Sequence, residues 1–311
     1  MTGVRRVLKW VLPLLVSVGL LSFLLWQMGA RTVLDQLTTD VLLILVPAML
    51  TFGAISLLIE AICLVRLVPA SRDVFSLVTA ARVKSASYLL YIVNYALGAG
   101  ALTLLLRRRA GMSLSDAGGV VILLAALDLG LLLLVTAVGA AWFGAETPGI
   151  LTGVIATAGV GLVGGLAVLR SSLSLGPLER IRSMTLFRAA RTSAPSLLIE
   201  LGLLRLFFVF NFIGLAWLAL VAFGVSVPLG DVIVNFSIVA LISTLPIAIA
   251  GLGTGQAAFV YAFRDWAAEE TLFACSLTFS AGLIILRAGL GYVFSQEYVR
   301  EALRGARETD A

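Results

Sequence analysis

Five ionisable side chains lie within long apolar stretches of this 311-residue sequence, where an isolated charge is costly. They are Glu60, Asp128, Glu200, Arg205 and Arg287. Glu60 and Glu200 lie near the ends of their stretches, where a long side chain can reach a polar surface. Asp128 and Arg287 lie deeper, so we expect them to line a polar path through the protein. The structural alternative is a neutralising pair of Asp128 with Arg205 or Arg287.

A glycine-rich segment, LPIAIAGLGTGQAAF at residues 245–259, is the second candidate site. A dinucleotide-binding turn needs G-x-G-x-x-G after a strand, but the sixth position here is Gln256 and both flanks are apolar. Glycines at alternate positions cannot share one face of a helix, so close helix packing does not explain all three. We predict an interrupted helix that restarts at Thr254 or Gly255, with free N–H groups that would favour an anion.

The residue types argue against several classes of chemistry. The sequence has no His, which removes the commonest metal ligand and the commonest acid–base group near neutral pH. The two cysteines, Cys63 and Cys275, fall in apolar stretches, where we expect them to pack as small hydrophobic residues. Without paired carboxylates or a nucleophile beside a base, we predict no metal site, no cofactor and no enzymatic activity. The basic residues are not interleaved with aromatic ones, so we do not expect nucleic-acid binding.

The composition predicts a membrane protein. Hydrophobic residues make up 60% of the sequence and charged residues only 13%, whereas soluble domains carry about 25% charged residues. About 20 consecutive apolar residues suffice to cross the hydrocarbon core of a bilayer. We predict one all-α, polytopic transmembrane domain over residues 1–311, with six full spans at about 10–28, 41–65, 117–141, 150–169, 197–222 and 271–294.

Two further uncharged segments, 85–106 and 232–263, decide the topology. If each segment crossed the membrane once, the Lys and Arg residues of the loops would divide ten to ten between the two sides. If each segment enters and leaves on one side, 18 lie inside and two outside, which satisfies the positive-inside rule. We therefore predict two re-entrant hairpins of opposite orientation. Both termini, a basic loop at 170–196 and a short tail at 295–311 would lie on the cytoplasmic side of an inner membrane.

Each predicted hairpin contains a Gly-x-Gly near its tip, in LGAGA at 97–101 and in AGLGTG at 250–255. Matching interruptions in segments of opposite orientation are typical of the inverted repeats of transporters. Three consecutive basic residues follow the first hairpin: Arg107, Arg108 and Arg109. Because basic groups near the surface attract anionic lipid headgroups, we expect this run to draw headgroups to the mouth of the hairpin.

These segments, in this order, resemble the flippase-like membrane family named after the transmembrane region of lysylphosphatidylglycerol synthase. The resemblance covers about 41–294. The family's Asn before a turn and an Arg corresponds to Asn94 in YIVNYALGAGALTLLLRRR, and its Asp in a Leu-rich span corresponds to Asp128. Its P-x-x-x-G-G-L-G-x-x-E-A-A motif corresponds to LPIAIAGLGTGQAAF, and Arg205 and Arg287 fall where the family places arginines.

The chain also departs from the family pattern. The turn after Asn94 lacks the usual proline and acidic residue, Gln256 replaces the usual glutamate, and Gly255 stands where an arginine is common. The resemblance therefore does not carry proton coupling over to these positions. We find no counterpart of the soluble aminoacyl-transferring domain in the sequence, so we do not expect synthase activity.

The resemblance implies a protein that moves, or helps to move, a lipid or lipid-linked molecule between leaflets. Its partners would be membrane lipids, anionic or lipid-linked, with a homo-oligomer or an envelope-pathway partner left open. A non-transporting scaffold of a lipid-modification pathway is the alternative, and an intramembrane lipid-modifying enzyme is a weaker one. We expect the substrate path to be formed by the two hairpin tips, which would meet near the midplane, together with the deep charges: Asn94, Gly98, Gly100, Asp128, Arg205, Gly251, Gly253, Gln256 and Arg287.

Overall fold

Helices form where the sequence is continuously apolar. A computed structural model describes residues 35–68, 75–93, 95–143, 149–170, 184–244 and 253–309, and no strand occurs within these ranges. The helices are α1 (Thr39–Leu67), α2 (Leu77–Val93), α3 (Tyr95–Arg109), α4 (Leu114–Phe143), α5 (Gly149–Arg170), α6 (Arg188–Thr192), α7 (Pro195–Ala222), α8 (Leu229–Thr244), α9 (Thr254–Phe263) and α10 (Glu269–Thr309). A short 3-10 turn at Thr185–Phe187 precedes α6.

Four helices are long and apolar enough to cross a bilayer: α1, α4, α7 and the Glu269–Phe294 part of α10. Less than half of each apolar window is buried inside the protein. The remaining surface carries exposed large apolar side chains, such as Leu43, Leu203 and Ile285. A helix that is apolar all round is stable when lipid covers its outer face. The chain is therefore an all-α membrane protein.

The predicted spans coincide with the helices where both can be compared. The predicted spans at 41–65, 117–141, 150–169, 197–222 and 271–294 fall within α1, α4, α5, α7 and α10, while the one at 10–28 lies outside the described residues. The predicted basic loop contains the 3-10 turn and α6. The tail predicted from residue 295 continues α10 as helix to Thr309.

The two segments predicted to be hairpins each contain a pair of helices that are too short to span a bilayer untilted. Helices α2 and α3 have 17 and 15 residues, and α8 and α9 have 16 and 10. Helix α2 packs along α3, and α8 packs along α9. The two helices of each pair are therefore neighbours in the bundle as well as in the sequence.

The boundary predicted for the first of these segments is wrong. The sequence placed its start at residue 85 and Lys84 in an inside loop, whereas α2 begins at Leu77 and buries Lys84 in its second turn. A buried carboxylate on α1 compensates the lysine, as described below. Moving Arg82 and Lys84 out of the inside loops leaves 16 of the predicted 18 basic residues inside against two outside, so the charge asymmetry persists.

The glycines of LGAGA do not interrupt the helix. Gly98 and Gly100 both lie within α3, which begins at Tyr95. A Cβ atom on Gly98 would overlap the Tyr91 ring of α2, whereas a Cβ on Gly100 would meet no atom within 4 Å. Gly98 therefore permits the close approach of α2 and α3, as small residues do between membrane helices.

In the second segment, Gly253 lies immediately before a helix start. Helix α9 starts at Thr254, so the predicted restart at Thr254 or Gly255 is confirmed. Gly253 immediately before it has a φ of 92°, a left-handed conformation that favours glycine. Gly251 lies outside the described residues.

Contacts between the long helices set the level of each buried side chain. Helix α7 runs antiparallel to α1, since Phe52 packs on Phe212 and Arg66 pairs with Glu200 further along. Helix α10 packs against α1 and α2, with Leu286 beside Gly53. The result is a bundle in which α1, α2, α7 and α10 surround one polar region.

Candidate functional site

Glu60 of α1 is the centre of a buried group of charges. Its carboxylate accepts hydrogen bonds from two side chains of α2: the Lys84 ammonium, with 2.8 Å between Nζ and Oε1, and the Tyr88 hydroxyl. Lys84 and Tyr88 are four residues apart, so both face α1. Glu60 is 7% exposed and Lys84 is 9% exposed. The side chain of Glu60 therefore does not extend to a polar surface. Of the two environments that the sequence allowed, it has the buried one.

Arg205 of α7 connects Glu60 to a second carboxylate. Its Nη1 atom lies 3.2 Å from Oδ2 of Asp128 on α4 and 4.0 Å from Oε1 of Glu60. The arginine side chain is 2% exposed and that of Asp128 is 36% exposed. Asp128 therefore has the neutralising partner that the sequence offered as the structural alternative, and that partner is Arg205.

We call Glu60, Lys84, Tyr88, Asp128 and Arg205 the ionic cluster. Its two carboxylates and two cations cancel in formal charge, which is what makes their burial tolerable. Aromatic rings add to the stabilisation of its cations. The Lys84 Nζ atom lies 4.8 Å from the Tyr91 ring centre, and the Arg205 guanidinium lies 5.8 Å from that of Phe208.

Arg287 of α10 lies beside the ionic cluster without an ion pair or hydrogen bond among the described residues. It lines an open cleft between α1, α2, α7 and α10. We call it the Arg287 cleft. Its other polar residues are Ser56, Glu60 and Tyr88, and its walls are formed by Phe52, Gly53, Phe208, Leu286 and Leu290.

Ser56 adds a hydrogen-bonding group to the wall of the Arg287 cleft. Its Oγ atom accepts a hydrogen bond from the Asn211 side-chain amide at 3.3 Å. The hydroxyl proton of Ser56 is not committed by that bond. The Tyr88 proton, in contrast, is committed to Glu60. The cleft therefore offers a cation and one hydroxyl donor to a bound group.

The start of α9 forms a second buried polar centre, which we call the amide centre: Gly253, Gln256 and Ser280. The Gln256 Oε1 atom accepts from the Gly253 N–H at 2.6 Å, and its Nε2 atom donates to the Ser280 hydroxyl at 3.0 Å. Gln256 is 1% exposed. A side chain that caps the first free N–H groups of a helix is a structural explanation for a polar residue at this depth.

The start of α9 is level with the middle of α10. Ser280, which bonds to Gln256, lies near the centre of the apolar part of α10, at Glu269–Phe294. Helix α2 packs nearer the end of that part, since Ser85 and Leu89 contact Gly291 while Tyr88 shares the cleft with Arg287.

The remaining residues of the predicted path have different environments. Asn94 and Gly251 lie outside the described residues. Gly98 is buried against α2 and Gly100 is exposed. At the end of α3, Arg107 and Arg108 are exposed and line a shallow surface cleft together with Leu104.

Sequence reasoning missed Lys84 and Tyr88, and it left Glu60 undecided. Lys84 was assigned to a loop because it directly precedes an uncharged stretch. The signal that could have identified it is the spacing of Lys84, Tyr88 and Tyr91, which places a cation and two tyrosines on one face of a helix. A buried lysine requires a carboxylate partner, and Glu60 is an intramembrane carboxylate on a neighbouring helix.

Comparison with known proteins adds no relative from which a role could be transferred. No protein-family model matches the chain, and no curated protein gives a significant match. Any function must therefore be argued from the charges and contacts of the chain itself.

Proposed function

We propose that this chain moves, or assists the movement of, a lipid or lipid-linked molecule between the leaflets of a membrane. The proposal includes a cytoplasmic (inner) membrane location with both termini in the cytoplasm, as the distribution of Lys and Arg favours. The observation that carries it is the position of Arg287, which has no ion-pair partner among the described residues, beside an ionic cluster that is itself neutral.

Uncompensated charges within membrane helices typically mark substrate pathways. The ionic cluster needs no further cation, because its own charges cancel. The cleft beside it combines a free cation with apolar walls, which suits a polar headgroup joined to acyl chains. In the proposed mechanism, the headgroup passes along Arg287 and the partly exposed Asp128 while the chains stay in lipid.

Two pairs of short helices support an alternating arrangement. We propose that α2–α3 and α8–α9 are re-entrant hairpins that enter from opposite sides, as in transporters built from inverted repeats. The start of α9 is level with the middle of α10, where Gln256 bonds to Ser280. Arg107 and Arg108, exposed at the end of α3, would attract anionic headgroups to the cytoplasmic mouth.

Reconstitution into liposomes tests the function directly. Wild-type protein should accelerate leaflet exchange of a labelled anionic phospholipid relative to empty liposomes, and Arg287→Ala should abolish the acceleration. Arg264→Ala is the matched control, because Arg264 is an exposed arginine outside the cleft, near Asp265 and Tyr261. A folded wild-type protein that exchanges no tested lipid would contradict the proposal and favour a scaffold role.

Cysteine labelling tests the hairpins. The native Cys63 and Cys275 are buried, so they should contribute little background. Single cysteines at Gly100 and at Thr254, neither of which is buried, should react with a membrane-impermeant thiol reagent that reaches them through water. Labelling equal to that of lipid-facing Leu203→Cys would contradict the re-entrant arrangement.

A further inference from the structure

We propose that the Arg287 cleft binds one phosphate group, with Arg287 and Ser56 as its ligands and Lys84 as the residue that keeps Arg287 available. The inference deepens the proposed function by naming the chemical group that the cleft recognises. It rests on the proposed function only for the assumption that this group arrives on a lipid.

The charge balance of the region specifies the sign and size of the bound charge. Glu60, Asp128, Lys84 and Arg205 sum to zero, and Arg287 adds one positive charge. A phosphodiester carries one negative charge at neutral pH, so a single phosphodiester restores neutrality. The guanidinium presents several N–H donors in a planar fork that matches phosphate oxygens. Ser56 adds a hydroxyl donor from the facing helix.

Glu60 is the obvious competitor for Arg287, because both line the same cleft. The structure shows why the two do not pair: the Glu60 oxygens are already occupied by Lys84 at 2.8 Å and by the Tyr88 hydroxyl. Arg205 adds a further cation at 4.0 Å. Lys84 therefore acts as a positioning residue that touches no ligand itself and leaves Arg287 free to bind one.

The walls of the cleft favour a lipid headgroup over a free ion. Phe52, Phe208 and Leu290 give it apolar walls, along which acyl chains can leave toward the bilayer. A free phosphate would gain nothing from these walls.

Native mass spectrometry of the purified full chain tests the site. Titration with phosphatidylglycerol should give saturable binding that weakens about tenfold or more in Arg287→Gln and about two- to fivefold in Ser56→Ala. Diacylglycerol with the same chains but no phosphate should bind no better to wild type than to Arg287→Gln. Arg264→Gln should bind as wild type does. Equal phosphatidylglycerol binding by wild type and Arg287→Gln would overturn the proposal.

A titration with inorganic phosphate separates the two sources of the group. If phosphate alone shifts the unfolding temperature of wild type but not that of Arg287→Gln, at concentrations that also displace phosphatidylglycerol, the site recognises phosphate and not specifically a lipid. Displacement without dependence on Arg287 would place the phosphate elsewhere and overturn the assignment of its ligands.

The role of Lys84 is tested by a pair of variants. Lys84→Met should weaken phosphatidylglycerol binding about tenfold, because the freed Glu60 takes Arg287. Glu60→Gln/Lys84→Met should restore binding to within about threefold of wild type, because the competing carboxylate is gone. A folded Lys84→Met that binds normally, or a folded double variant that fails to recover, would overturn this part.

The binding and transport results can fail separately. Binding that depends on Arg287 without leaflet exchange would support the phosphate site and contradict the proposed function. Exchange that is unaffected by Arg287→Gln, with equally unaffected binding, would support the function and contradict the site.

Discussion

The ionic cluster and the amide centre are both buried among membrane helices, but they differ in how completely their polar groups are satisfied. The amide centre is neutral, and Gln256 uses both ends of its amide within the protein. The ionic cluster is also neutral, yet it adjoins a cleft with a cation that lacks a partner in the described chain. A polar centre that satisfies itself stabilises the fold, whereas one with a surplus charge needs something from outside.

The most conspicuous motif of the sequence is not the region with the unpaired charge. The alternating glycines and Gln256 have the more conspicuous pattern, but the contacts of Gly253 and Gln256 account for the start of α9 without a ligand. Lys84 belongs to no motif, yet its bond to Glu60 determines which charge in the cleft stays free. Substitutions in the two centres should therefore have different consequences.

The largest loss of stability is expected from Arg205→Met. Without the guanidinium, Asp128 loses its only ion-pair partner in the described residues and Glu60 keeps only Lys84, which leaves a net negative charge in a buried region. Breaking a buried ion pair by removing one partner costs about 3–5 kcal/mol. Thermal unfolding in detergent should show a large decrease in midpoint.

The double variant Arg205→Met/Asp128→Asn provides the control for charge. It should recover part of the loss, because the unpaired carboxylate becomes neutral. An Arg205→Met protein as stable as wild type would mean that the cluster is not the buried ionic unit described above.

Gln256→Leu is expected to have the next largest effect on stability. It removes the acceptor of the Gly253 N–H and the donor to Ser280, and a buried unsatisfied polar group costs about 1–3 kcal/mol. Gln256→Glu keeps an acceptor for Gly253 and is the matched comparison. The unfolding midpoint of Gln256→Leu should be lower than that of wild type. An unchanged midpoint would show that the amide centre does not stabilise the fold.

Gly98→Ala tests the packing that holds Lys84 and Tyr88 in place. The added methyl group would overlap the Tyr91 ring, and overpacking costs typically 1–3 kcal/mol. Gly100→Ala, two residues along the same helix, meets no neighbour and should be neutral or slightly stabilising. Equal unfolding midpoints for the two variants would show that α2 and α3 do not approach each other this closely.

The smallest effect is expected from Arg66→Gln. Arg66 pairs with Glu200 at the ends of α1 and α7, but both side chains are substantially exposed. Exposed ion pairs contribute little to stability because water and salt screen them. The unfolding midpoint should therefore be indistinguishable from that of wild type, and a clear decrease would show that this end of the bundle is less accessible to solvent.

Much of the fold follows from the sequence, because helix length and apolar character are local properties. The five compared spans, the restart at Thr254 and the pair of Asp128 with Arg205 were all predictable from runs of apolar residues and from the cost of a lone charge. The helix start at Leu77 was not predicted, because a lysine seven residues later resembles a loop until its partner is known.

The features that could not be predicted from the sequence depend on side-chain packing between helices. Gly98 and Gly253 look alike in sequence, but one allows two helices to approach and the other adopts a left-handed turn. Which of these a glycine does depends on the neighbouring helix. In the same way, the freedom of Arg287 depends on Lys84 and Tyr88 occupying Glu60, and those contacts join helices far apart in the chain.

Leaflet exchange by Arg287→Ala and by Gln256→Leu, measured side by side in proteoliposomes and divided by the amount of folded protein, tests the central distinction most directly. We predict that Arg287→Ala loses exchange of labelled phosphatidylglycerol, while Gln256→Leu, though less stable, keeps a rate within about twofold of wild type. The opposite result, with full exchange by Arg287→Ala and none by folded Gln256→Leu, would contradict it and assign the substrate to the glycine-rich segment.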